Sequence, residues 1–258
     1  MKAIILAAGV GKRLGEISSG KPKCLLEFEQ VSLLKRHINL LRKFGVEKIL
    51  VVTGYRREEI IAELSGISFE DQIETVFNPD FESGSVISLF SASKFLESRS
   101  DVILMDADVL YHADILQALF NTKHANCLLL DRDFEAGEEP VKICVRGNTI
   151  VEFRKQVDAQ LEFDTQGESV GFFRFSHAVC EQLLKQCRLY IDNNNKDAPY
   201  EDLIRDLLLQ TPDVFNFEDI TGHAWIEIDF PEDLVRAKEE ILKQINYWEL
   251  KWAWRLMI

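Results

Sequence analysis

The run Lys2-Ala3-Ile4-Ile5-Leu6-Ala7-Ala8-Gly9-Val10-Gly11-Lys12-Arg13-Leu14-Gly15, followed by Lys21-Pro22-Lys23, decides how this chain folds. Its apolar opening reads as a buried first strand. The strand passes directly into a glycine-rich, basic turn, the arrangement by which α/β proteins hold a polyphosphate. Glycines let backbone N–H groups approach the anion, and Lys and Arg neutralise it. The spacing excludes two common loops. A dinucleotide fingerprint needs G-x-G-x-x-G, whereas three residues separate Gly11 from Gly15. A P-loop needs G-x-x-x-x-G-K and then Ser or Thr, and Gly11-Lys12-Arg13 lacks both the spacing and the hydroxyl. A plain strand-to-helix corner accounts for Gly9 and Gly11 but not for the basic cluster around them.

Outward from the loop, strands and helices alternate. Cys24 to Phe28 reads as a short extended segment. Leu33-Leu34-x-x-His37-Ile38-x-x-Leu41 has helical spacing closed by Gly45, and Ile49 to Gly54 is a strand ending in a turn. A charged helix over 56–64, a strand over 73–77, a helix over 86–96 and a strand over 102–105 follow, the last ending at Asp106-Ala107-Asp108. The second half is richer in strands, at 127–130, 141–145, 149–153, 170–175 and 224–229. Helices are predicted over 178–187 and 200–209, and another starts at Pro231, a favoured first-turn position. This order predicts right-handed βαβ units and a mostly parallel sheet, with ligands beyond the carboxyl ends of its strands. The glycine loop and Asp106-Ala107-Asp108 both fall there.

Composition narrows the classes. No stretch approaches the ~20 apolar residues that span a bilayer, and the opening apolar run is too short for a signal peptide, so a cytoplasmic location is expected. Five cysteines, Cys24, Cys127, Cys144, Cys180 and Cys187, lack C-x-x-C spacing and read as reduced thiols. A net charge of −13 argues against nucleic acid as a partner. Residues 1–50 nevertheless carry ten Lys/Arg against four Asp/Glu, a basic pole suited to a small anionic ligand.

A triphosphate attacked at its α-phosphorus calls for a divalent ion as well, typically held by one or two carboxylates with phosphates and water. Asp106 and Asp108 end one strand and share a face at i, i+2 spacing, and Asp229 ends another. Capping of the next turn is the alternative role for any one of them, but two strand-end carboxylate sites beside a phosphate loop favour the ion.

Leu6 to Leu14 with Lys21-Pro22-Lys23 resembles the signature of the nucleotidyltransferases, or pyrophosphorylases. Val51-Val52-Thr53-Gly54-Tyr55, Asn78-Pro79, Asp106-Ala107-Asp108, Gly167 to Gly171, Tyr200-Glu201-Asp202 and Trp225 to Asp229 fall in that family's order. The nearest branch is that of the bacterial CTP:phosphocholine cytidylyltransferases and their relatives acting on 2-aminoethylphosphonate or inositol 1-phosphate. The resemblance implies a Rossmann-like three-layer α/β/α sandwich of the nucleotide-diphospho-sugar transferase type. It implies transfer of a CMP moiety from CTP to a small phosphorylated or phosphonate acceptor, with Mg²⁺ as cofactor.

By the same resemblance Leu6, Ala7, Ala8, Gly9, Gly11, Lys12 and Arg13 hold the nucleotide, with Asp106 and the base-reading loop Ser83-Gly84-Ser85. Ser-Gly-Ser stands where phosphocholine enzymes often carry an Asn pair, and is closer to the phosphonate relatives. Lys23, Arg13 and Asp108 form the catalytic set, Lys23 bridging the α-phosphate and the acceptor, and Lys21 is its competitor for that role. Asp108 and Asp229 are the expected Mg²⁺ ligands. Lys142, Glu168, Glu201 and Asp202 are the expected acceptor-binding residues, with Tyr200 and Trp225 as aromatic candidates for a cationic head group. Glu201 and Asp202 equally suit the first turn of a helix.

One domain is expected over 1–245, with a nucleotide-binding half (1–125) and an acceptor-binding half (126–245), then an aromatic helical tail over 246–258. Ile241, Ile245, Trp248, Trp252 and Leu256 recur at helical spacing with Trp254 beside them. That stripe favours packing on the domain or a homodimer over membrane contact. His112 and His223 show no ligand spacing and read as structural. Two other readings stand beside the cytidylyltransferase: a sugar-1-phosphate nucleotidyltransferase using UTP, dTTP or GTP, and a catalytically inactive nucleotide-binding or interaction module.

Overall fold

Alternation along β1 (Lys2–Ala7) sends Ala3, Ile5 and Ala7 to one face of a sheet and Ile4 and Leu6 to the other. Both faces are buried, so the strand is apolar throughout, as a central parallel strand must be. The computed structural model describes residues 1–18, 20–67, 72–135 and 137–245. After β1 come β2 (Glu27–Phe28), β3 (Val31–Ser32), α1 (Leu33–Lys43), β4 (Lys48–Thr53), α2 (Arg57–Ser65) and β5 (Ile73–Phe77). Helices α3 (Ser85–Ser91) and α4 (Ser93–Leu96) lead to β6 (Val102–Asp106), β7 (Val109–Tyr111) and α5 (Ala113–Asn121). Then follow β8 (Cys127–Asp131), β9 (Lys142–Arg146), β10 (Thr149–Arg154), β11 (Thr165–Phe175), α6 (His177–Asp192) and α7 (Tyr200–Gln210). The last elements are β12 (Asn216–Asp219), β13 (Trp225–Glu227) and α8 (Pro231–Arg236).

Among the described residues nine strands share one sheet, in the order β10-β9-β11-β6-β1-β4-β5, with β8 on β11 and β12 on β8. Pairing is parallel across β6, β1, β4 and β5, and turns antiparallel where β11 meets β6. The sheet runs unbroken from the first half of the chain into the second. One face packs Ile4, Leu50, Val52 and Leu104 against α3, α6 and α7, through Val86, Leu183 and Leu203. The other packs Ile5, Val51, Ile103 and Met105 against α1, α2 and α5, through Leu34, Ile60 and Ile115. That is the Rossmann-like three-layer α/β/α sandwich.

A second unit positions the carboxylates. The antiparallel ribbon β7–β13 lies off the main sheet, with Glu227 opposite Val109, and Ile228 N–H donates to Asp108 O at 3.0 Å. A small third core of Leu14, Phe28, Leu110, Ile226, Ile228 and Leu234 ties this ribbon to the turn after the glycine loop.

Several elements differ from the sequence expectation. Residues 24–28 do not begin extended: Pro22 starts a single 3₁₀ turn over Lys23–Leu25, closed by Leu25 N–H to Pro22 O at 2.9 Å. The helix predicted over 86–96 breaks at Ala92 into α3 and α4. The strand over 224–229 shortens to Trp225–Glu227, because the Asp233 carboxylate accepts from both Asp229 and Phe230 N–H and folds the chain into α8. Ile245 is buried and Ile241 partly buried in the third core, so the start of the apolar stripe packs on the domain. Trp248, Trp252, Trp254 and Leu256 lie outside the described residues. The five cysteines are buried and free. Among the described residues no helix is long and apolar enough to cross a membrane.

Candidate active site

The glycine loop closes over the carboxyl ends of β1, β4 and β6. Tyr55 N–H donates to Ala8 O at 3.1 Å and ties the loop to the end of β4. Gly11 adopts φ +65°, and a Cβ there would stand 2.9 Å from Lys23 Cγ. A glycine is therefore required both for the turn and to let the lysine stem cross the loop. Lys23 leaves the 3₁₀ turn, runs over Gly11 and donates from Nζ to Asp108 Oδ2 at 3.0 Å and to Asp229 Oδ1. Burial works against its ammonium, yet the charges of Asp108 and Asp229 and their hydrogen bonds prevail and raise its pKa above the ordinary lysine value. Lys21 points elsewhere, to Glu27 at 3.5 Å.

Asp106 and Asp108 flank Ala107 at the end of β6. His37 of α1 fixes that point: its Nε2 lies 3.2 Å from Ala107 O and its Nδ1 3.3 Å from the Tyr111 hydroxyl. Since a carbonyl only accepts, Nε2 carries the proton. Burial lowers the His37 pKa to about 4, so the imidazole stays neutral. Asp106 Oδ2 accepts from the Tyr200 hydroxyl at 2.7 Å. Burial, then the charges of Glu201 and Asp108, hold the Asp106 carboxyl well above its usual value.

Carboxylate oxygens of Asp108, Glu227 and Asp229 all lie within 4.8 Å of one another. Three hard oxygen donors without nitrogen or sulfur suit Mg²⁺. Glu227 opens onto the cleft, yet enclosure by its surroundings, then the charges of Asp108, Asp229 and Asp106, raise its pKa well above normal. Glu201, at the first turn of α7, is raised to about 7 by burial, and its Oε2 has no hydrogen-bond partner.

A cavity of about 250 Å³ joins these groups. Of the residues singled out from sequence, Leu6, Ala7, Ala8, Gly9, Gly11, Lys23, Ser83, Ser85, Asp106, Asp108 and Glu201 line it. Lys12, Arg13, Gly84, Lys142, Glu168, Asp202 and Asp229 are not among its lining. Gly84 shapes it from behind: its N–H donates to Lys196 O at 3.0 Å, and a Cβ there would stand 2.2 Å from Ala198 O. Beside it the Ser85 hydroxyl accepts from Tyr200 N–H at 2.8 Å. Gly84→Ala forces the loop away from residues 197–198, and is expected to cost about 2 kcal/mol of stability. A denaturant titration reads this as a lower midpoint, and an unchanged midpoint would mean that the packed segment gives way freely.

A second cleft of about 570 Å³ opens beside the first and shares Glu227 with it. Its lining carries nine carboxylates and one guanidinium, Arg236, together with Phe134, Trp225 and Phe230. Asp229 and Glu168 belong here. Asp131 Oδ2 accepts from Trp225 Nε1 at 2.7 Å and sets the indole. Arg13 reaches across, donating from Nη1 to Glu139 Oε2 at 2.9 Å and to Asp229 Oδ2 at 3.0 Å. Lys142 lines neither cavity. Its ammonium donates to the carbonyls of Gly137, Pro140 and Lys155 at 2.7, 3.2 and 2.6 Å, and so shapes the loop over this cleft. Asp202 faces Arg154, Arg205 and Asp206 and lines neither cavity.

Sequence reasoning passed over Glu227, Asp131, His37 and Phe81, which lines the first cavity. For Glu227 a signal existed: it stands two residues before Asp229, on the same face of an extended segment. It also left His112 and His223 unconnected, whereas both Nδ1 atoms lie near Asp114 Oδ2, at 3.4 and 4.0 Å. His112 caps α5 by accepting from Asp114 N–H at 3.2 Å.

Comparison with known proteins agrees with this fold. The MobA-like NTP transferase domain matches over residues 3–167. The CTP:phosphoglutamine cytidylyltransferase of Campylobacter jejuni is 27% identical over 254 residues, covering 91% of this chain and 98% of that protein. The bifunctional IPC transferase and DIPP synthase of Rubrobacter xylanophilus is 28% identical over 93% of the chain, which spans 52% of that protein's length. The solved structure of the inositol-1-phosphate CTP transferase from T. maritima superposes with a TM-score of 0.72 at 25% identity, covering 95% of both chains.

Proposed function

This chain belongs to the MobA-like NTP transferase family, and from that premise we propose that it transfers a CMP moiety from CTP to a small phosphomonoester or phosphonate with a cationic head group. The observation that carries the reading is Lys23, held between the glycine loop and two carboxylates from separate strand ends. CTP as donor is supported by the cytidylyltransferase and CTP transferase relatives. A cationic acceptor is supported by the excess of carboxylates and the aromatic rings in the second cleft. A neutral sugar ring gains nothing from that charge, which weighs against the sugar-1-phosphate reading.

In the proposed reaction an acceptor oxygen forms a bond to the α-phosphorus as the bond to the bridging oxygen breaks, and pyrophosphate leaves with that electron pair. Asp108 and Asp229, with Glu227 beside them, would hold Mg²⁺, which supplies Lewis-acid charge to phosphate oxygens when bound. The backbone of Gly9 to Gly11 receives the triphosphate, Ser83 and Ser85 line the base side, and Lys23 neutralises the charge shared by donor and acceptor. Little covalent chemistry is asked of the protein, so positioning and charge dominate.

A screen of nucleotides against acceptors, read by pyrophosphate release, tests this. CTP with an amine-bearing phosphomonoester or phosphonate is expected to give the highest rate, and turnover only with a sugar phosphate and UTP would replace the reading. The site also predicts a pH dependence. Burial, then the charge of Asp131, raises Glu168 to about 7. A carboxyl raised in the folded state stabilises the protein below its unfolded value, near 4.5, and that contribution is lost as pH rises through 7. Its ionised form is the one that attracts a cation. The KM of a cationic acceptor is therefore expected to fall between pH 6 and 8, and Glu168→Gln to flatten the profile. A KM that is level with pH in the unmutated enzyme rules out this role for Glu168.

A further inference from the structure

The groups expected to hold the donor are paired with the groups expected to hold the metal. Lys23 bonds both Asp108 and Asp229, and Arg13 bonds Asp229 from its other oxygen. One ammonium thus occupies the space that the Asp108 and Asp229 oxygens would offer a divalent cation. The two cations cannot share it, because like charges a few ångströms apart in a partly buried site repel strongly.

The lysine also has little freedom. Its stem is confined between the 3₁₀ turn and Gly11, and only 15% of its side chain is exposed. Lys23 and Asp108 both line the cavity under the glycine loop, so the ammonium already stands at the edge of the space where a triphosphate's anionic oxygens would lie. Moving further in without an anion gives up the two hydrogen-bonded ion pairs with Asp108 and Asp229. Moving there with a triphosphate exchanges carboxylate partners for phosphate partners, and frees both carboxylates in the same step.

We infer that Lys23 is a built-in counter-ion that keeps the Asp108–Asp229 pair closed to free divalent cations until a nucleoside triphosphate draws it away. The site therefore takes metal and nucleotide together, each raising the affinity for the other by the same factor. Arg13 adds to the block through Asp229. This rests on the nucleotidyl-transfer reading of the site, but its test does not depend on turnover.

Mn²⁺ titrated into the full chain, followed by calorimetry or by the spin resonance of free Mn²⁺, reads the block directly. In the unmutated protein Mn²⁺ alone is expected to bind at least about tenfold more weakly than Mn²⁺ with a non-reactive α,β-methylene analogue of CTP. Lys23→Met removes the ammonium but keeps most of the stem. It is expected to bind Mn²⁺ alone at least about tenfold more tightly than the unmutated protein, and to lose most of the nucleotide's enhancement. Equal affinity of the two proteins for Mn²⁺ alone overturns the inference. So does tight Mn²⁺ binding by the unmutated protein without nucleotide, a result that needs no variant to fold. Absence of pyrophosphate release in the nucleotide screen is a separate result, and it removes the catalytic reading instead.

Discussion

Lys23→Ala is expected to lower kcat for pyrophosphate release by about three orders of magnitude. Loss of one preorganised donor to a developing anion costs roughly a hundred- to a thousandfold, and here a full positive charge is removed. The change is felt on both substrates, because Lys23 runs from the glycine loop to both Asp108 and Asp229. Lys23→Arg is expected not to rescue it. The stem passes a gap that only Gly11 leaves open, and a planar guanidinium does not fit the space of a compact ammonium. The alanine variant also leaves two crowded carboxylates without their main counter-charge, so a melting temperature lower by several degrees should accompany the loss. Steady-state kinetics beside a thermal melt separate the two effects, and a variant within tenfold of normal turnover takes Lys23 out of the chemistry.

Asp108→Asn is expected to act in the opposite sense on stability. Asp106, Asp108, Glu227 and Asp229 gather around one ammonium, and burial with mutual repulsion holds Asp106 and Glu227 well above their ordinary pKa. Converting one carboxylate to an amide relieves that repulsion while keeping an oxygen for Lys23 Nζ. The melting temperature should hold or rise by a few degrees, as is common where a site is built against stability. Activity should fall by about a hundred- to a thousandfold, since a neutral oxygen is a poor ligand for a hard divalent ion. A variant that loses activity only in proportion to lost folded protein contradicts this account.

The fold was legible because its central strands leave no alternative. Lys2 to Ala7, Lys48 to Thr53 and Val102 to Asp106 are apolar on both faces, and helices of clear periodicity separate them. β12 was not legible: Asn216-Phe217-Glu218-Asp219 is a polar edge strand, held by its pairing with β8 rather than by propensity. The break at Ala92 and the 3₁₀ turn at Lys23 were also hidden, since both follow from packing and from Pro22 rather than from periodicity. Within the site, much of the lining of the first cavity could be read because a glycine loop advertises its chemistry in consecutive residues. The second cleft could be read only in part: Glu168 and Trp225 were expected from the resemblance, Asp131 was not, and nothing local showed that they meet. Asp131, Glu168 and Trp225 come from three strands and meet only through the register of β8, β11 and the β7–β13 ribbon. Lys142 was matched to an acceptor-binding lysine by the resemblance alone, and no local pattern reveals that three backbone carbonyls accept from its ammonium.

β6 has a parallel neighbour on one side, β1, and an antiparallel one on the other, β11. The end of β6 therefore meets the ends of its parallel partners and the beginning of β11, which overshoots it and carries Glu168. For an engineer this seam is a natural cut between two jobs. On the proposed function, donor recognition would lie on strand ends and the first loop, and acceptor recognition on the opening residues of a strand running the other way. Libraries confined to residues 131–140 and 165–169 would vary what is accepted while leaving untouched the parts that carry the nucleotide.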